Sequence, residues 1–155
     1  MSSRLLSLVV ALITSVSFAQ SKLQVKVLTA SPEGFLVNST LVSGEKDAVL
    51  VDAAFTVADA HRLVAAVLDS HKNLTHIYVT HGHPDHYFGA DVLKAAFPKA
   101  KLVALPETVA EIQKTAKAKV AQWKPLYGAN LTDKPLVPEV LKTRSLTLEG
   151  ETLEL

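Results

Sequence analysis

Residues 74–90 read Leu74-Thr75-His76-Ile77-Tyr78-Val79-Thr80-His81-Gly82-His83-Pro84-Asp85-His86-Tyr87-Phe88-Gly89-Ala90, an apolar run that breaks into a cluster of histidines. Ile77, Tyr78 and Val79 favour extended backbone, which predicts a strand over Leu74 to Thr80. In an extended turn His81 and His83 point the same way, because successive side chains alternate. They can therefore chelate one metal as a pair. Asp85 and His86 follow where the chain turns into a helix, and can reach a neighbouring metal. Gly82 removes a side chain from the crowded turn, Pro84 stiffens it, and Gly89 permits close backbone approach where the helix starts. A catalytic zinc takes three protein nitrogen or oxygen ligands and keeps one position open. A two-metal site holds two such sets about 3.5–4 Å apart. The cluster supplies half of each set.

Upstream, Ala48 to Val51 form a short continuous apolar run, the pattern of a strand buried on both faces, and it ends at Asp52. Residues Lys22 to Leu28 alternate as a strand, and Gly34 to Val42 give another. Thr56 opens a helix as N-cap with Asp59 three positions on, and Leu63, Val64, Val67 and Leu68 fall on one face. His61 and His71 lie on or near this helix with no ligand partner at a matching offset, and read as solvated. Alternation places His76 with Leu74 and Tyr78, away from His81, so it reads as structural. Downstream, the pattern predicts a short helix over 89–96, a strand over 101–105 and a long helix from Pro106 to about Lys124. Val109, Ile112, Ala116, Val120 and Trp123 make its apolar stripe; Lys114, Lys117 and Lys119 read as a solvated face. A proline-rich loop over 125–138 and a hairpin over Ser145 to Leu155 complete the chain. Strands alternating with helices, without repeats or linkers, give an α/β layered domain.

The chain has 155 residues, 48% hydrophobic and 20% charged, enough for one compact domain. Its 16 basic and 15 acidic residues give a net charge of +1, with no electrostatic footprint for nucleic acid. Cysteine is absent, so any metal must be held by His and carboxylate. Arg4, the apolar run Leu5 to Ile13 and Ser17-Phe18-Ala19 read as a secretory signal over residues 1–19, cleaved before Gln20. A membrane anchor is the alternative reading of this segment, and the apolar run is short for one. Residues 20–155 then form an exported domain, periplasmic or secreted, with no later membrane span.

At these residues the sequence resembles the metallo-β-lactamase-fold superfamily, whose signature is His-x-His-x-Asp-His after a core strand. Val49-Leu50-Val51-Asp52 also matches that family's lead-in strand. The resemblance implies a layered αββα sandwich, of which this chain covers about the N-terminal half. It further implies that His81 and His83 bind one metal, and that Asp85 and His86 bind the second. Asp85 would also orient the nucleophile, and Asp52 would support the metal loop from behind. Two zinc ions are implied, with iron or manganese as other occupants. Zinc lowers the pKa of bound water to about 7, so the implied activity is hydrolysis of an ester, thioester, lactone, lactam or phosphodiester bond in a small-molecule substrate. His86 departs from those β-lactamases with Arg at that position. It is shared with glyoxalase II-like thioesterases, lactonases, one β-lactamase class, RNA or phosphodiester hydrolases and iron-dependent persulfide dioxygenases, so a mononuclear iron oxidoreductase is a competing reading. The family completes its site with a further histidine, a bridging aspartate and a final histidine. No histidine follows His86 here, which suggests the N-terminal part of a longer enzyme or a catalytically inactive metal-binding fragment. Tyr87 and Phe88 either line the pocket or pack in the core.

Overall fold

The computed structural model describes residues 23–155; the leader expected over residues 1–19, with its expected cleavage point, lies outside them. Six strands form one sheet: β1 (Gln24–Thr29), β2 (Asn38–Ser43), β3 (Asp47–Val51), β4 (Asn73–Val79), β5 (Lys101–Ala104) and β6 (Glu139–Val140), hydrogen-bonded in chain order. The first three run antiparallel as a meander. From β3 onward the pairing is parallel, so each connection must cross back over the sheet. Helices α1 (Val57–Asp69), α2 (Pro84–Tyr87), α3 (Ala90–Ala96) and α4 (Pro106–Tyr127) lie in these connections.

The central strands carry apolar residues on both faces, which dictates the layering. Leu50, Ile77, Val79, Leu102 and Ala104 pack with Leu63, Val67, Leu93, Val109 and Ile112 in the helix-side core. Val49, Tyr78 and Val103 face the other way and pack against Leu146 and Leu148. Those two leucines belong to the hairpin of β7 (Ser145–Leu148) and β8 (Glu151–Glu154), which forms a separate two-stranded sheet. The order of layers is thus helix, six-stranded sheet and two-stranded sheet. The hairpin turn, Glu149-Gly150, has both residues at positive φ (50° and 90°), the geometry that matches strand twist in two-residue hairpins. Glu149 then fastens the hairpin to the β2–β3 turn. Its carboxylate accepts the backbone N–H groups of Glu45, Lys46 and Asp47 at 2.8, 2.6 and 2.7 Å.

Several expectations need correction. The run over 34–42 is not one strand: Pro32–Gly34 form a single 3-10 turn, and β2 starts only at Asn38. Asp59 anchors the start of this turn, accepting hydrogen bonds from Ser31 N and Ser31 Oγ at 3.0 and 2.9 Å. Phe35 and Leu36 take left-handed backbone (φ 61° and 55°), and the Phe35 ring packs on Phe55 and Trp123. Tertiary contact overrides strand propensity here. In β4 the register shifts, because Ala48 pairs with Leu74 and Val49 with His76, leaving Thr75 as an extra residue. Thr75 Oγ1 donates to Ala48 O at 3.1 Å, and Leu74 thereby joins the helix-side core instead of sharing a face with Tyr78. Leu68 points outward on α1, where Ala60 and Ala66 are buried instead. Helix α4 continues through Pro125 to Tyr127 and ends at Gly128 (φ 53°). Lys119, placed on a solvated face by pattern, turns in toward the histidine loop.

Candidate metal centre

The parallel strands β3 and β4 deliver their C-terminal ends side by side, the place where α/β sheets gather functional loops. Asp52 leaves β3 with φ 63° and continues the ladder by donating its N–H to Tyr78 O at 2.8 Å. Aspartate tolerates this left-handed region better than most residues. Ala54, at φ 63°, does so with no polar side chain to offset the strain. Ala53 N donates to His86 O at 2.8 Å and Gly89 N to Ala54 O at 3.1 Å, so the loops after β3 and β4 are stitched together.

Asp52 is 4% exposed and is the hub of the site. Its Oδ1 accepts the Thr80 N–H at 2.9 Å, and the Thr80 hydroxyl lies 3.0 and 2.9 Å from its two oxygens. His86 Nδ1 lies 2.7 Å from Asp52 Oδ2, and His81 Nδ1 lies 2.9 Å from Thr80 Oγ1. Proton counting then assigns both rings. A carboxylate only accepts, so His86 carries its proton on Nδ1. Thr80 has one hydroxyl proton and gives it to Asp52, so Thr80 accepts from His81 Nδ1–H. In their neutral forms both imidazoles are left with the Nε2 lone pair free, as a metal ligand requires. The sequence reading assigned the support role to Asp52 but missed Thr80; an Oγ next to the first histidine was the available signal.

The loop gathers the rings. His81 and His86 have centroids 3.9 Å apart, and His81 and His83 4.7 Å apart. His86 Nε2 is 3.6 Å from Asp85 Oδ2. The pairing expected from spacing, His81 with His83 and Asp85 with His86, is therefore accompanied by a closer approach of His81 to His86. His83 is exposed at the start of α2, whose N1 residue is Pro84. Among the described residues no three His, Asp or Glu side chains are already arranged round a single ion position. The donor chemistry nevertheless fits a borderline cation such as zinc: two imidazoles with free Nε2 atoms, a third within ring contact, and a carboxylate beside them.

Burial holds His81 below the ordinary imidazole range, reinforced by the neighbouring His86 and His83 charges. For His86, burial pulls in the same direction, but the Asp52 hydrogen bond and charge, with Asp85, outweigh it and leave the ring above that range. Tyr87 and Phe88 are fully buried in the helix-side core and do not line a pocket. His61 and His71 are exposed; His76 bonds Thr75 at 3.1 Å and stands apart from the three gathered rings.

A sheet with helices on one face, a two-stranded sheet on the other, and a histidine-aspartate loop at the strand ends define a layered α/β fold of the metallo-β-lactamase type. The sequence model of the metallo-beta-lactamase superfamily matches residues 32–154, and the chain belongs to that superfamily. The BLEG-1 B3 metallo-beta-lactamase structure superposes with a TM-score of 0.63 at 21% identity, covering 84% of this chain and 59% of that one. A metallo-beta-lactamase from Pontibacter korlensis gives 0.56 at 17% identity, over 87% and 56% of the two chains. Both show likeness of fold. Uncharacterized protein YobT of Bacillus subtilis (strain 168) is 40% identical over 76 residues, covering 49% of this chain and 32% of YobT. The chain thus spans about a third of that curated relative and little more than half of the solved structures.

Proposed function

We propose that this chain carries half of the metal centre of an exported, zinc-dependent hydrolase that acts on an ester, thioester, lactone, lactam or phosphodiester bond of a small molecule. The observation that carries the reading is the hydrogen-bonded chain His86–Asp52–Thr80–His81, which engages Nδ1 of both rings and leaves Nε2 of the neutral imidazoles free for a metal. Zinc, when bound, supplies a water acidic enough to serve as a nucleophile near neutral pH. Asp52 holds the His86 ring in one tautomer, and Thr80 does the same for His81. Asp85, half-buried beside His86, is placed to accept a proton or orient a nucleophile. Export rests on the Arg4, Leu5–Ile13 and Ser17–Ala19 pattern, and the N-terminal residue of the mature protein tests it: Gln20 is expected.

A competing reading is a metal-binding chain without turnover. The absence, among the described residues, of three donors round one point favours it for these residues alone. Zinc titration against a chromophoric chelator decides the metal question. His83→Ala and His81→Ala are expected to bind less zinc than the wild type; full metal content in both variants would refute the ligand assignment. Turnover of a thioester, lactone and β-lactam panel by the zinc-loaded chain then separates hydrolase from silent binder.

A further inference from the structure

We propose that Lys119 and Glu111 of α4 are positioning residues for the histidine turn, setting the backbone from which His81 and His83 reach a metal. Three lysines sit close together on this helix, yet only one turns inward. Lys114 and Lys117 are exposed, whereas the Lys119 side chain retains 19% of its accessible surface. Its Nζ donates to Gly82 O at 2.6 Å and lies 3.2 Å from Glu111 Oε1. Eight helical residues span about 12 Å, so the two side chains converge from well-separated points on one peptide. Glu111 also occupies the space beside Gly82: a Cβ there would lie 2.5 Å from Glu111 Cδ. A third contact comes from the same helix, since Thr108 Oγ1 donates to Thr80 O at 3.2 Å. Helix α4 therefore holds the carbonyls of Thr80 and Gly82, one on each side of His81.

Asp52 and Thr80 fix how the His81 ring is protonated; the α4 side chains fix where the turn stands. A lysine bound to a main-chain carbonyl and paired with a carboxylate is held by charge-assisted hydrogen bonds, which are stronger than neutral ones. Removing it leaves the Gly82 peptide free to rotate, and the separation of His81 from His83 changes with it. Groups that bond the ligands themselves change metal affinity by about 10–100-fold when removed, and a group acting one step further back is expected at the low end of that range.

This inference rests on the metal reading above, and the experiment separates the two. Zinc affinity and the visible spectrum of the cobalt-substituted full chain are compared for wild type, His83→Ala, Lys119→Met, Lys119→Arg and Glu111→Gln. Lys119→Met is expected to weaken zinc about tenfold and alter the cobalt bands, Lys119→Arg to restore most of the affinity, and Glu111→Gln to fall between. Wild-type affinity and spectrum in Lys119→Met, with loss in His83→Ala, would overturn the positioning role. If the wild-type chain binds no zinc, the metal reading fails and the tether is judged in metal-free protein. There the Gly82 amide and the His81 and His83 ring resonances are expected to move in Lys119→Met and Glu111→Gln. Unmoved resonances in both variants would overturn it.

Discussion

At Asp52 the distinction between a carboxylate and an amide decides the chemistry of two other residues. Asp52→Asn keeps the volume and can still accept from Thr80 N–H. The remaining position, facing His86 Nδ1 at 2.7 Å, becomes an N–H donor. His86 must then move its own proton to Nε2, the atom needed for a metal. The expected outcome is an about 10–100-fold loss of zinc affinity, and unchanged affinity would refute the proton assignment. Asp59 is a carboxylate with another task. Burial opposes its ionisation, but the Ser31 backbone N–H, the Thr56 and Ser31 hydroxyls and Arg62 outweigh that and hold it below its ordinary value of 3.8. A depressed carboxyl contributes stability above that value and loses it as pH falls through the lower, folded-state value. The stability gap between wild type and Asp59→Asn should therefore narrow below pH 3.8; a gap independent of pH would contradict this account.

At the scale of elements, two glycines in the same motif make different demands. A Cβ on Gly89 would lie 2.2 Å from Ala53 O and 2.6 Å from Ala60 Cβ, where α3 meets the β3 loop and α1. Neither obstacle can swing aside, so Gly89→Ala is expected to cost about 1–3 kcal/mol or more, measured by denaturant unfolding. Gly82→Ala meets only the end of the Glu111 side chain, which can move, so its stability cost should be much smaller. Equal costs would contradict the assignment of these contacts. Elements governed by local signals were legible in the sequence. Thr56 caps α1 by accepting from Asp59 N at 3.0 Å, and the Glu149-Gly150 hairpin forms where alternation placed it. The strand expected across Gly34 to Val42 starts only at Asn38; the residues before it turn beside Ser31, which Asp59, distant in sequence, holds. The inward turn of Lys119 was equally invisible, since helical periodicity says nothing about which loop faces a given lysine. Asp52 could be read from its place after an apolar strand; the proton path through Thr80 required coordinates.

Across the whole molecule, the second sheet is attached by two different means. Leu146 and Leu148 pack on Val49, Tyr78 and Val103, while Glu149 grips three backbone N–H groups of the β2–β3 turn. Those three bonds hold the Glu149 carboxyl below its ordinary value, with the Lys46 and Asp47 donors leading. Glu149→Ala should accelerate hydrogen exchange at residues 45–47 and in β7–β8 while leaving the Thr80–Asp52 bonds protected. Exchange rates unchanged at 45–47 would show that the leucines alone hold the hairpin. The fold was the most legible property at this scale, because continuous apolar runs in β3, β4 and β5 demand cover on both faces. How the loops after β3 and β4 join was not legible, because it depends on backbone geometry. Two residues without glycine's freedom, Asp52 and Ala54, hold left-handed φ of 63° within three positions. That geometry makes the loop a narrow target for directed evolution. Ala54 is also buried in the helix-side core, so a library randomised there should return Gly and reject Val, Ile and Thr, whatever substrate is used for selection.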